Sequence, residues 1–340
     1  MRSHEMNHQE EQRFSEKYKQ AYLDGIEKLI ADRQKEAAVK RAEYAAEIFT
    51  DQERYRASFK EMLGWPLVGY TPNGLPKVSA EKLSEEEGCS LYRMSFEILD
   101  GLTLTGLFFK SKSPQKQPLV LLQHGGAGTP ELISGIHGST HNYNHMLERV
   151  LKHGVHIFAP QLLLWAEDYG APYDRKSIDA RLKRVGSSIT AIEVFGIMRI
   201  LDYFEQQDYV KNFGMVGLSY GGFYTLCTTA ADLRIRAAIS CSWFNGRDAQ
   251  PWSDWTWQNS AEKFDDAEIA CLCYPRPLYL AMGDQDELFD AKVSEQSFAR
   301  IKELCKSAGT DWVQYETFAG KHEFLHTDAP IEQLIQFLHQ

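Results

Sequence analysis

No apolar run in the 340-residue chain approaches the roughly 18 to 20 residues that a membrane-spanning helix needs. The best candidates, Pro118 to Leu122 and Val155 to Pro160, are the length of strands, so no membrane partner is expected. The stretch Met1 to Glu10 lacks the apolar centre of a secretory signal, and a cytoplasmic location is the expectation. Cysteine is scarce. Cys89, Cys227, Cys241, Cys271, Cys273 and Cys305 are scattered and never form a C-x-x-C pair. That spacing argues against a disulfide framework and against a zinc site, and they read as small buried hydrophobes. Positive charge is in deficit: 37 Lys and Arg face 47 Asp and Glu, a formal net charge of −10. Residues 1–60 carry 12 basic and 12 acidic side chains, so the whole deficit lies in residues 61–340. With no basic arm to meet a phosphate backbone, nucleic acid is excluded as a partner. Internal repeats and low-complexity tracts are also missing.

What is present is a globular composition, 43% apolar and 12% aromatic, with ordinary glycine and proline. Residues 9–62 read as helix, because Phe14, Tyr18, Tyr22, Ile26 and Ile30 recur every four positions and Ile48, Phe49, Tyr55, Phe59 and Met62 continue an apolar face. Gly64-Trp-Pro66 and Thr71 to Pro76 supply the breakers of an irregular connector. From about residue 91 the period changes. Tyr92–Leu99 and Leu102–Lys110 flank Asp100-Gly101, the signature of a tight hairpin. Strands are then expected at 118–123, 155–160, 213–218, 236–243, 277–282 and 312–318, and helices at 139–153, 188–206, 220–231, 293–308 and 329–339. That alternation predicts a mainly parallel sheet covered by helices on both faces. The chain thus divides into a helical N-terminal extension with its connector, 1–90, and a larger α/β unit, 91–340.

The strand Phe213–Leu218 runs into Gly217-Leu-Ser219-Tyr-Gly221, followed at once by a helical pattern. A strand–turn–helix around G-x-S-x-G is what a nucleophile elbow requires: the serine occupies a strained turn, and glycines on either side let backbones approach. Upstream, Gln123-His-Gly-Gly-Ala-Gly128 ends another strand, where a glycine-rich turn can aim backbone N–H groups above Ser219. Gly126 is the preferred first donor of an oxyanion hole, with Ala127 as the fallback, and the N–H of Tyr220 is the second; one such donor is worth about 3 kcal/mol. A serine hydroxyl is too weak an acid to attack an ester unaided, so it needs a base and a group to orient that base. Downstream strands end in Gly283-Asp-Gln-Asp286 and Ala319-Gly-Lys-His322-Glu-Phe324. Asp286 is preferred over the neighbouring Asp284 and Asp290, and His322 over His326. His124 reads as a structural residue of its turn. His137, His141 and His145 recur at i, i+4 and i+8, but no carboxylate or cysteine joins them at ligand spacing, so no metal and no other cofactor is expected.

The order Ser219, Asp286, His322, with the H-G-G turn, the G-x-S-x-G-G elbow and the G-x-H-E-F loop, resembles the α/β-hydrolase superfamily. The resemblance is strongest to its dienelactone-hydrolase-like and acetyl-xylan-esterase-like bacterial branch, which is related to the catalytic domain of prolyl oligopeptidases. Over about residues 92–340 it implies the α/β-hydrolase fold and a serine hydrolase acting on carboxylic esters. Dienelactone hydrolases use a cysteine nucleophile, so Ser219 argues against lactone opening. Prolyl oligopeptidases carry a β-propeller that the 90 or so preceding residues are too few to form, which lowers a peptidase or amidase reading. A catalytically silent binding protein on the same scaffold is the remaining alternative.

Four of the seven tryptophans fall between Trp243 and Trp257, after the strand 236–243 and hence at the expected pocket mouth. Trp243, Trp252 and Trp255, with Trp165 after the strand 155–160, are expected to wall the substrate site, since indole faces pack on apolar chains or sugar rings. The expected partner is therefore a small acyl ester, acylated sugars included. The helical extension reads as a packing arm, a lid or a homodimer contact.

Overall fold

The computed structural model describes residues 7–164 and 173–340. Two helices come first, α1 (Gln12–Tyr44) and α2 (Gln52–Leu63), separated by a short 3₁₀ turn. The helical stretch expected over 9–62 is interrupted, and Asp51 caps a new start, accepting the Arg54 N–H. Only the second packs deeply: Tyr55, Phe59 and Leu63 are fully buried in the main core.

A nine-stranded sheet follows, in the order β1-β2-β3-β5-β4-β6-β7-β8-β9. Its first three strands, β1 (Lys77–Glu85), β2 (Cys89–Leu99) and β3 (Leu102–Ser111), are antiparallel, and β3 pairs antiparallel with β5 (His156–Pro160). The remaining strands, β4 (Gln117–Gln123), β6 (Val210–Leu218), β7 (Ile235–Cys241), β8 (Leu278–Gly283) and β9 (Val313–Phe318), run parallel with β5. Strand β1 was not expected. Its nine residues are nearly all exposed and carry no alternating apolar face, so it joins the sheet through backbone pairing with β2.

The parallel strands are buried on both faces. In β4, Leu119 and Leu121 join one core while Val120 and Leu122 join the other. The first core is covered by α2, α6 (Ile189–Glu205), α7 (Tyr220–Ala231) and α8 (Asp266–Cys271), the second by α3 (Pro130–Ile133), α4 (Met146–Leu151) and α10 (Ala329–His339). Two further helices, α5 (Arg175–Lys183) and α9 (Ala291–Leu304), complete the described chain. Ser188 caps α6, accepting the Ala191 N–H. The helix expected over 139–153 is instead a 3₁₀ turn and the short α4, because His141, Asn144 and His145 adopt positive φ. Among the described residues no helix is long and apolar enough to cross a membrane.

Candidate active site

The C-terminal ends of β4, β6, β8 and β9 meet around a cavity of about 530 Å³, within the usual range for small-ligand sites. Ser219 sits between the last residue of β6 and the first of α7, at φ 59° and ψ −125°. Contact holds that strained backbone in place. A Cβ on Gly217 would lie 2.2 Å from the Gly221 carbonyl oxygen, and one on Gly221 only 2.1 Å from that of Gln123. The Ser219 N–H donates to the Cys241 carbonyl at 2.9 Å, and its carbonyl accepts the Phe223 N–H at 3.0 Å.

Asp286 lies in the turn after β8, with its side chain out of contact with solvent. One carboxylate oxygen accepts the N–H groups of Leu288 at 2.8 Å and Phe289 at 3.0 Å; the other meets His322 Nδ1 at 2.8 Å. That contact uses Nδ1, so Nε2 is the ring nitrogen left to exchange a proton. The neighbouring aspartates are occupied elsewhere: Asp284 accepts the Gly320 N–H, and Asp290 caps α9 through the Lys292 N–H. His326 faces Glu323 at 3.4 Å. The His322 loop is tied to the loop after β4, where Asn142 Nδ2 donates to the His322 carbonyl and the Asn142 carbonyl accepts the Phe324 N–H. Ser219 and His322 line the same cavity, and no hydrogen bond joins Ser219 Oγ to the ring. Such a bond is commonly long before substrate arrives.

The glycine-rich turn after β4 is pinned from beneath. His124 is fully buried, and burial lowers its pKa to about 4. Its Nε2 accepts the Leu162 N–H at 3.2 Å, so its Nδ1–H donates to the Gly125 carbonyl at 2.9 Å. The Gly125 N–H donates to the Tyr143 hydroxyl at 2.8 Å. Gly126 and Ala127 line the cavity opposite Tyr220, whose N–H opens helix α7.

Two of the expected aromatic residues reach the cavity. Trp252 and Trp255 stack with centroids 4.3 Å apart and both line it. Trp243 does not, which corrects its expected place in the substrate wall. Ser242 adopts φ 49° just after β7, and the Trp243 ring lies wholly buried against Phe223 and Trp255 with the Arg247 guanidinium over its face. Trp165 lies outside the described residues. His137 and His141 line the cavity, as do Leu132, Leu288 and Phe289, and none of these was singled out as a site residue from the sequence.

Behind the aromatic wall lies a buried polar network that no motif announced. Tyr220 OH donates to Asp254 at 2.8 Å, Arg175 Nε reaches the same carboxylate at 2.8 Å, and Arg175 Nη2 meets Glu193 at 3.0 Å and the Tyr224 hydroxyl at 2.7 Å. Burial alone would favour a neutral Arg175, but Glu193, Tyr224 and Asp254 outweigh it and hold its pKa well above the ordinary value. Burial, then Asp254, keeps the Tyr220 phenol protonated. The network ties the elbow to the tryptophan segment and to α5 and α6.

An open parallel sheet with a serine elbow after β6, an aspartate after β8 and a histidine after β9 defines an α/β-hydrolase. The model of the dienelactone hydrolase family matches residues 105–334, and the chain belongs to that family. Among solved structures it is similar to a glucuronoyl esterase from Solibacter usitatus, with 16% identity and a TM-score of 0.61, over 86% of this chain and 92% of that one. It is also similar to acetyl xylan esterase 1 from a Thermoanaerobacterium species, with 13% identity and a TM-score of 0.55, over 85% and 94%. A cold-adapted esterase from an Arctic intertidal metagenomic library gives 20% identity and a TM-score of 0.52, over 76% and 99%. At these identities the likeness is one of fold. No curated protein matches the chain.

Proposed function

We propose that the protein is a serine esterase that works through an acyl-enzyme on Ser219, with residues 91–340 supplying the chemistry and residues 1–90 none of the reacting groups. The observation that carries this reading is the 2.8 Å contact between His322 Nδ1 and a solvent-shielded Asp286, on the cavity that Ser219 enters from a strained elbow. His322 Nε2 takes the Ser219 proton as Oγ bonds to the acyl carbon and the carbonyl electron pair moves onto oxygen. The N–H groups of Gly126 and Tyr220 stabilise that oxyanion. Collapse expels the alkoxide, which takes the proton from His322. Water then repeats the sequence on the acyl-enzyme, releasing the acid and restoring Ser219. Asp286 orients the ring and stabilises its cation.

The stacked Trp252 and Trp255 support a small-molecule ester with a flat or apolar part beside the acyl group. The glucuronoyl and acetyl xylan esterases among the similar structures make acylated sugars the first class to try. The test is pre-steady-state hydrolysis of p-nitrophenyl acetate. An acyl-enzyme predicts a burst of one nitrophenolate per chain followed by slower turnover, with acetylated sugars also cleaved and a peptide p-nitroanilide turned over poorly. Efficient anilide cleavage would favour an amidase, and no turnover of any acyl ester would overturn the reading.

A further inference from the structure

Helix α1 leaves the body of the protein. From Gln12 to Ala31 every residue is exposed, about 30 Å of helix at 1.5 Å per residue. Among the described residues, contact with the body begins only beyond it, through Gln34 to Asp248, Lys40 to Glu262, Arg41 to the Ala261 carbonyl, and the buried Ala37. The exposed part is not uniformly polar. Phe14, Tyr18, Tyr22, Ile26, Leu29 and Ile30 gather on one side of it, with Tyr18 67% and Tyr22 74% exposed. A one-sided apolar stripe of this length is a contact surface awaiting cover. The single exposed helix is also a poor one by itself, since Gly25 in its middle costs about 1 kcal/mol although a Cβ there would meet nothing within 4 Å.

We propose that a second copy of the chain covers this stripe, the two α1 arms lying antiparallel about a two-fold axis at Tyr22. Three features select this occupant. The first is length: the exposed stretch and the stripe are both centred near residue 22, so the tip of one arm at Gln12 ends level with Asp32 of the other, just short of the body. The second is apolar matching. Residues at equal distances from the axis meet at the same level, which brings Phe14 level with Ile30, Tyr18 with Ile26 and Tyr22 with its own copy, as an isologous contact requires. The third is charge. Arg13, Glu16, Lys17 and Lys19 sum to +2 in the first half, whereas Asp24, Glu27 and Lys28 sum to −1 in the second, with Asp32 adding a further negative charge just beyond the exposed stretch. Antiparallel arms set these halves against each other; parallel arms would set like against like and crowd the two bodies at one end. The net charge of the arm, +1 over Gln12 to Ala31, also gives little pull toward an anionic membrane.

This inference does not depend on the esterase reading. The test is sedimentation of the full chain across about 1 to 100 μM, the range suited to an interface of this modest size, followed by cross-linking. The wild type is expected to form a reversible dimer of the 38.9 kDa chain, and Tyr18→Glu with Tyr22→Glu to be monomeric with unchanged melting and ester turnover. All six native cysteines are buried, so a new thiol on the arm is the accessible one. With diamide as the oxidant accepting two electrons and two protons, Tyr22→Cys should form a disulfide with its own copy. Phe14→Cys should not, because its copy lies about 24 Å away along the axis. A monomer at every concentration, equal cross-linking of both variants, or vesicle binding by a monomeric chain would overturn the proposal.

Discussion

Ser219 and His322 sit on one cavity but are held by opposite means. Ser219 is fixed by backbone packed against backbone, with Gly217 and Gly221 leaving no room for a Cβ and the serine itself in strained φ/ψ. His322 is fixed by side-chain hydrogen bonds between loops, from Asp286 on one side and Asn142 on the other. The place of Ser219 is therefore bound up with the stability of the fold. The place of His322 is bound up with a few polar contacts that the fold can lose and survive. Mutations in the two halves should leave different signatures, rate without stability on the histidine side and stability before rate on the serine side.

The largest rate effect belongs to the histidine side. Asp286→Asn keeps an oxygen for the Leu288 and Phe289 N–H groups but turns an amide N–H₂, not an acceptor, toward His322 Nδ1–H, so kcat should fall by roughly 10³- to 10⁴-fold with little change in melting temperature. Asp284→Asn and Asp290→Asn should stay near wild type in rate; an inactive Asp284→Asn beside an active Asp286→Asn would reverse the assignment. On the serine side, Gly221→Ala drives a methyl into the Gln123 carbonyl and should cost about 3 kcal/mol or more in urea unfolding, with any protein that still folds retaining measurable turnover. Wild-type stability in that variant would dissolve the contrast.

A smaller effect comes from His124 beneath the glycine-rich turn after β4. Burial lowers its folded pKa to about 4, while the unfolded chain binds a proton near pH 6.5. Between those values the unfolded state holds more protons, so stability falls as pH drops from about 6.5 toward 4. The His124 share of the change between pH 7 and pH 5 is a loss of about 2 kcal/mol, and His124→Gln should remove that share relative to wild type, while the shifted His156 and Asp266 titrate alike in both chains. The smallest effect is Asn142→Ala, which removes one tie to the His322 loop. It should cost about 1 kcal/mol in kcat/KM and leave the melting temperature almost unmoved.

The two halves also differ in how much of them can be read from sequence. The elbow was legible because close backbone approach demands glycine, and glycine at fixed offsets from a serine is visible in one line of text. The strands that carry the site were legible because burial on both faces leaves unbroken apolar runs. Strand β1 has no such face and left no signal. The break at His141 to His145 was hidden because the left-handed backbone falls on two histidines and an asparagine, and histidine carries little turn signal. Trp243 and Trp255 look alike as sequence and are buried in the same core, yet only Trp255 also borders the cavity, a difference set by tertiary packing. Arg175, Glu193 and Asp254 are brought together by tertiary packing from widely separated segments. Asn142 and His322 are separated further still.

The central claim is that Ser219 is a nucleophile made reactive by His322, and a fluorophosphonate reads it directly. After brief exposure of the folded chain, digestion and mass spectrometry should find a single phosphonylated peptide with the adduct on Ser219, lost in Ser219→Ala and slowed at least about a thousandfold in His322→Ala. Intact folded protein that takes no label, or a label on another residue that persists in Ser219→Ala, would contradict it.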